Sequence, residues 1–117
     1  MKYRILSVSL LAGLAACETT PQPAVLTDTS PETMSAVTSV LAAAVGRAQI
    51  ELGAGDFTKE PVISVLPPRP GPLETHATAV PTLFDILLLD GDCYVQERES
   101  GEMFFLTGIE CKSAGAD

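Results

Sequence analysis

Few side chains in this sequence are of the types that carry out catalysis. The 117 residues include three cysteines, one histidine and 15 acidic residues. The histidine, His76, lies in LETHATAV without a His-x-x-x-His, GxSxG or Cys-x-x-Cys spacing. A serine hydrolase would need Ser64, Ser100 or another serine beside His76, and nothing in the sequence indicates that proximity. The sequence therefore predicts no catalytic residues, no metal ligands and no cofactor.

Cys17 stands at the end of an apolar segment near the N-terminus. Lys2 and Arg4 give a positively charged start, and residues 5–16 follow with 12 largely apolar positions. This layout is typical of an export signal. It is too short for a membrane span, which needs about 20 apolar residues. The sequence predicts a cleaved signal peptide over residues 1–16.

The four residues before the predicted cut resemble a bacterial lipobox. Leu14-Ala15-Ala16-Cys17 has a branched apolar residue and two small residues before a cysteine. Leu14 fits ordinary signal peptidase poorly, since that enzyme prefers a small residue there. The resemblance covers only the first 17 residues, and residues 31–117 suggest no family. The alternative is an accidental cysteine at a secretory cleavage site.

The resemblance to lipoproteins implies a covalent membrane anchor on Cys17. In that class the thiol receives a diacylglyceryl group, the signal is cut before the cysteine, and the new amine is usually acylated, commonly with palmitate. Two or three acyl chains make attachment effectively permanent. An aspartate after the cysteine favours the inner membrane of enteric bacteria. Glu18 stands there, so we expect the periplasmic face of the outer membrane rather than the inner membrane.

Removal of the signal makes the chain more acidic. The basic count falls from 7 to 5 while all 15 acidic residues remain, which gives a formal charge of −10. That charge argues against nucleic acid as a partner and against direct adhesion to an anionic bilayer. It suits a basic envelope protein, or it is simply a solvated surface.

Residues 17–30 are predicted to form a flexible tether. The segment after Cys17, ETTPQPAVLTDTS, is rich in threonine and proline and has few apolar residues. Its 13 residues reach about 45 Å when fully extended. We therefore expect the folded domain to stand clear of the membrane.

Residues 31–112 are predicted to form one α+β domain, followed by a tail over residues 113–117. Ser30 is a good N-cap and Pro31 suits the first helical position. Apolar residues then recur at steps of three and four as far as Leu52, before Gly53-Ala54-Gly55. Four strands are predicted, at residues 62–66, 82–89, 93–98 and 103–109. We expect the N-terminal amphipathic helix to pack on a small antiparallel sheet of these strands, in two layers.

The remaining cysteines, Cys93 and Cys111, form an even pair that flanks the last predicted hairpin. In an oxidising compartment such a pair is expected to form a disulfide. The alternative is a pair of buried reduced thiols.

The absence of a catalytic pattern favours a non-enzymatic envelope lipoprotein that binds a protein partner as an accessory or scaffold module. The second hypothesis is a tethered inhibitor of a lysozyme or protease, and the third is a small envelope hydrolase. An inhibitor should carry a rigid exposed loop, for which PPRPGP at residues 67–72 is a candidate. The predicted partner-binding residues lie in this loop, in the strand after Cys93 and in the turn that follows that strand: Pro67, Pro68, Arg69, Pro70, Glu97 and Glu99.

The lipobox resemblance generates the first prediction. Cys17→Ser should leave the precursor uncut or release a soluble form, because the thiol is the site of lipid transfer. Mass spectrometry of the wild-type mature protein should find an acylated N-terminal cysteine. A wild-type N-terminus at Glu18, or an unmodified Cys17 in the membrane fraction, contradicts the hypothesis.

Overall fold

The computed structural model describes residues 20–68 and 80–115. This part of the chain contains one helix and six strands. In chain order they are β1 Gln22–Leu26, α1 Pro31–Val45, β2 Val62–Val65, β3 Thr82–Leu89, β4 Asp92–Glu97, β5 Met103–Phe105 and β6 Cys111–Ser113. All strand pairs are antiparallel. The predicted α+β class is confirmed, with more strands than the four predicted.

β3 is the central strand of the sheet. The strand order is β5-β4-β3-β1-β6, and β2 also pairs with β3. One edge of β3 pairs with β4, while the other edge pairs first with β2 over residues 82–85 and then with β1 over residues 87–88. From Ala24 to Leu26, β1 pairs with β6. Every strand is therefore positioned by β3 directly or through one neighbour.

α1 and one face of the sheet enclose the core. The helix contributes Val37 and Leu41, both fully buried. The side chains that meet them alternate along the strands, as expected for a half-covered sheet. Burial of each large apolar side chain contributes about 1.5–3 kcal/mol. The buried members of this core from the strands and the adjoining loops are Ala24, Leu26, Phe57, Ile63, Val65, Phe84, Ile86, Cys93, Val95 and Leu106.

The helix begins as predicted and ends earlier. The Ser30 side chain accepts a hydrogen bond from the Thr33 N–H at 3.3 Å, with Pro31 in the first turn. At the other end Gly46 takes φ 71°, a left-handed cap that glycine adopts without strain. The prediction that the helix reaches Leu52 is wrong, because Gly46 stops it. Leu52 instead forms a β-bridge with Val65 and packs on the core.

β1 lies inside the segment predicted to be a flexible tether, and that prediction is wrong for residues 22–26. Ala24, Val25 and Leu26 are all buried. The Leu26 N–H also donates to the carbonyl of Phe57 at 2.8 Å, which joins the strand to the loop after α1. The burial of three side chains and the pairing with neighbouring strands stabilise this segment as a strand, although its proline and threonine content is typical of a flexible linker. The folded domain therefore begins before residue 31.

That loop is held by a local turn at Asp56. Its carboxylate accepts hydrogen bonds from the Thr58 hydroxyl, at 2.5 Å, and from the Thr58 N–H, at 3.0 Å. These hydrogen bonds lower the pKa of Asp56, with a smaller contribution from the charge of Lys59. The turn fixes Phe57, whose ring is in the core.

The chain after β4 contains two short strands where one long strand was predicted. β5 ends at Phe105, and a turn with Gly108 at φ 74° leads to β6. The prediction of a single strand over residues 103–109 is therefore wrong beyond Phe105. Ser113, assigned to the tail by the sequence, is part of β6 and pairs with Ala24.

The predicted disulfide between Cys93 and Cys111 is present, with Cα atoms 5.9 Å apart. It links β4 to β6, which are separated in the strand order by β3 and β1. The bridge therefore ties the last strand back to the centre of the sheet.

Leu26→Ala should lower the free energy of unfolding by about 2–5 kcal/mol, since a fully buried side chain would leave a cavity. Urea unfolding of the chain from Cys17 onward measures the change. Asp28→Ala, in the exposed loop that follows, is the matched control and should have little effect. Equal stability of the two variants would mean that residues 22–26 do not belong to the core.

Replacement of both Cys93 and Cys111 by alanine should lower the free energy of unfolding by roughly 3 kcal/mol, mostly by freeing the unfolded chain. Thiol labelling of the denatured, unreduced chain from Cys17 onward should modify Cys17 alone. Labelling of three cysteines would rule out the bridge.

Candidate functional site

The strand register puts the chain just before Pro67 and the chain around Glu97 at the same end of the sheet. Val65, the last residue of β2, is opposite Thr82, the first residue of β3. On the other side of β3, the Arg98 N–H donates to the Leu83 carbonyl at 2.9 Å, so β4 also stops here. Neighbouring strands are about 4.8 Å apart, which puts β2 and β4 about 10 Å from each other. We call this end of the sheet, where β3 starts, the acidic end.

Glu97 and Glu99 occupy the acidic end in different ways. Glu97 is partly buried, and its carboxylate accepts a hydrogen bond from the Ser100 hydroxyl at 2.8 Å. Its backbone also closes the turn, since its carbonyl accepts from the Gly101 N–H. Glu99 is exposed in that turn. Glu99 is therefore the residue available to a partner, whereas Glu97 has a structural role as well.

The side chain of Arg98 forms an ion pair with Asp85 of β3. Its Nη2 atom lies 2.6 Å from the Asp85 Oδ1 atom. The hydrogen bond from the guanidinium to Asp85 raises the pKa of Arg98. The charge of Arg98 is thus matched by a neighbour, and Glu99 beside it keeps the turn acidic.

A cavity of about 580 Å³ lies beside this turn. Val80 forms one wall and is 74% exposed. The lining residues are Val80, Pro81, Thr82, Leu83, Arg98 and Glu99. An apolar wall next to an exposed carboxylate suits a partner that presents a basic group beside an apolar one.

Pro67 and Pro68 border a second cavity, an open groove of about 790 Å³ along α1. Met34, Thr38 and Ile50 are among the residues that line it. The Arg47 Nη2 atom donates to the Leu66 carbonyl at 2.8 Å, which holds the chain just before the two prolines. Pro67 is half-buried and Pro68 is exposed. The prolines therefore form a fixed rim of the groove.

The structure leaves part of the sequence predictions without a position. Cys17, Arg69, Pro70 and His76 lie outside the described residues. Cys93 is paired with Cys111 and does not belong to the acidic end. Pro67, Pro68, Glu97 and Glu99 are the predicted binding residues that the structure brings to one end of the sheet.

A feature that the sequence analysis missed is an apolar row across the outer face of the sheet, opposite the core. Pro23 of β1 is opposite Leu87 of β3, Leu87 is opposite Tyr94 of β4, and Tyr94 is opposite Phe105 of β5. The rings of Tyr94 and Phe105 have centroids 5.3 Å apart. Phe105 is 47% exposed. The run of three leucines at the end of β3 was the available signal, since a strand covered on one face should alternate.

Comparisons with protein-family models, with curated proteins and with solved structures gave no match to this chain. Within residues 20–68 and 80–115, no three His, Cys, Asp or Glu side chains are grouped closely enough to hold a metal ion. In the same part of the chain, no helix is long and apolar enough to cross a membrane.

Proposed function

We propose that this chain is a lipid-anchored envelope lipoprotein that acts by binding and not by catalysis. The observation that carries the proposal is the Cys93–Cys111 disulfide. A structural disulfide is typical of an exported protein. It also uses two of the three cysteines and leaves Cys17, at the end of the apolar segment, as the one available for lipid.

The binding surface in this proposal is the acidic end. It has the exposed carboxylate of Glu99 beside the apolar wall at Val80, and Pro67 and Pro68 border a separate groove at the same end of the sheet. β3 has eight residues, so this end is about 25 Å from the other end of the sheet. β1 begins at that other end, because Gln22 is opposite Leu88. The acidic end therefore points away from the N-terminal attachment.

The partner that fits best is a basic protein of the cell envelope. A net charge of −10 after signal removal favours association with basic surfaces and disfavours nucleic acid. The membrane is reached through the lipid on Cys17, on the periplasmic face of the outer membrane. No step of this proposal requires a metal or cofactor.

A photoreactive amino acid at position 99 of the full chain should form a covalent adduct with an envelope protein in intact cells. The matched control carries the same group at position 92, an exposed acidic position at the opposite end of β4. Glu99→Lys should weaken binding of the recovered partner, and added salt should slow its association, because exposed charges are screened beyond about 8 Å at physiological ionic strength. Asp92→Lys makes the same charge change and should have less effect.

Adducts of equal yield at positions 99 and 92 would contradict a binding role for the acidic end. Glu97→Lys is a weaker test, since Glu97 accepts a hydrogen bond from Ser100 and its substitution also disturbs the turn. Loss of a cellular phenotype on His76→Ala, with folding preserved, would favour an enzyme instead.

A further inference from the structure

We infer that the apolar row of Pro23, Leu87, Tyr94 and Phe105 lies against the lipid surface to which Cys17 anchors the domain. This inference rests on the proposed lipoprotein function. It adds a second, non-covalent membrane contact and an orientation of the domain on the bilayer.

The length of chain between the anchor and the sheet carries the argument. Residues 18–21 are all that separates Cys17 from Gln22, the first residue of β1. Five residue steps span at most about 18 Å. Pro23, the next residue, is itself the first member of the row. Pro23 therefore stays close to the lipid headgroups, and Phe105, at the other end of the row, lies three strands or about 14 Å from it.

The same length disfavours a protein occupant. A single helix with its side chains is about 10–12 Å thick. A folded partner placed between the row and the bilayer would use most of the 18 Å available when the linker is fully extended. Direct contact of the row with the bilayer needs no room between the two surfaces. We therefore assign the row to the bilayer surface.

The side chains in the row suit the interface between headgroups and acyl chains. Pro23 is exposed, Phe105 is 47% exposed and Tyr94 beside it is half-buried, whereas Leu87 is only 9% exposed, so the lipid contact falls to the other three. An aromatic ring with a polar tip, as in tyrosine, is favoured at membrane interfaces. Leu89, half-buried on the same face and two residues beyond Leu87, extends the apolar surface toward the β3–β4 turn.

The charges around the row define the kind of lipid. Asp90 and Asp92 are exposed at the β3–β4 turn, next to Leu89. Lys112 of β6, opposite Val25, is a basic residue on the same face, but it lies two residues along β1 from Pro23, away from this turn. Together with the net charge of −10, these residues disfavour an anionic surface. The row should therefore dock on zwitterionic lipid and bind less to anionic lipid.

The test uses the chain from Cys17 onward, which contains every described element. With Cys93 and Cys111 bonded to each other, Cys17 is the single free thiol and can be coupled to a maleimide lipid in phosphatidylcholine vesicles. The protein has no tryptophan, so Phe105→Trp introduces a unique fluorophore in the row. Val80→Trp is the matched control. Val80 is exposed and lies two residues before β3, at the acidic end.

Vesicles that contain lipids brominated near the headgroup should quench Phe105→Trp strongly and shift its emission to the blue, and should leave Val80→Trp unchanged. A second substitution, Tyr94→Ser, should reduce the quenching while circular dichroism stays that of the folded domain. Replacement of half the phosphatidylcholine by anionic phosphatidylglycerol should also reduce the quenching. Added salt should restore the quenching, because it screens the repulsion between the acidic domain and the anionic lipid.

Equal quenching of the two tryptophans, or none at position 105, would overturn the inference. So would a blue shift at position 105 without bromine quenching, which would indicate a second copy of the chain or a protein segment on the row. The lipid is coupled to Cys17 in vitro, so the quenching result does not depend on whether the cell cleaves and lipidates the precursor. An unmodified Cys17 in the native protein would reject the proposed function without changing the vesicle result.

Discussion

The structure depends on the use of both edges of β3. Its eight residues pair along one edge with β4, and along the other edge with β2 and then β1. The β3–β4 connection is tight because Asp90 and Gly91 both take positive φ, at 54° and 83°, as type I′ hairpin turns require. β1 can join only where β2 has ended, so the N-terminal strand is confined to the last residues of β3. That one constraint places the start of the domain and the β3–β4 turn at the same end of the sheet.

Incorporation of β1 into the sheet shortens the tether that the proposed lipid anchor on Cys17 would have. A free segment of 13 residues would reach about 45 Å, whereas the five steps that remain before Gln22 reach about 18 Å. The first arrangement lets a domain search the space around its attachment point. In the proposed lipoprotein, the second would hold one end of the sheet near the lipid and leave rotation about a short linker as the main freedom of the domain. Pro21 narrows that freedom further, since the residue before a proline is restricted to extended conformations.

The elements that could be predicted from sequence are those defined by local chemistry. Ser30 and Pro31 mark the start of α1, and Asp90-Gly91 marks the turn between β3 and β4. The cysteine pair was predictable from the even number left after Cys17. The errors arose where tertiary contacts decide the outcome. Residues 22–26 resemble a linker in composition, and only pairing with β3 and β6 gives Ala24 and Leu26 a core to enter. The spacing of apolar residues up to Leu52 favours a longer helix, but Gly46 is a better end and Leu52 gains a bridge to Val65.

The candidate site was also only partly predictable, because its residues could be identified from the sequence but their proximity depends on tertiary contacts. Composition identified the prolines at 67 and 68 and the carboxylate of Glu99, but their proximity follows from register, which brings the end of β2 and the end of β4 to opposite sides of Thr82 and Leu83. The outer row also follows from register, since Pro23, Leu87, Tyr94 and Phe105 come from four strands. Along β3 the acidic end lies about 25 Å from the N-terminal end, and the aromatic side chains lie nearer the latter, where Asp90 and Asp92 are also exposed. In the proposed lipoprotein, a short linker at the N-terminal end would leave the acidic end as the part of the domain that is free to meet a partner.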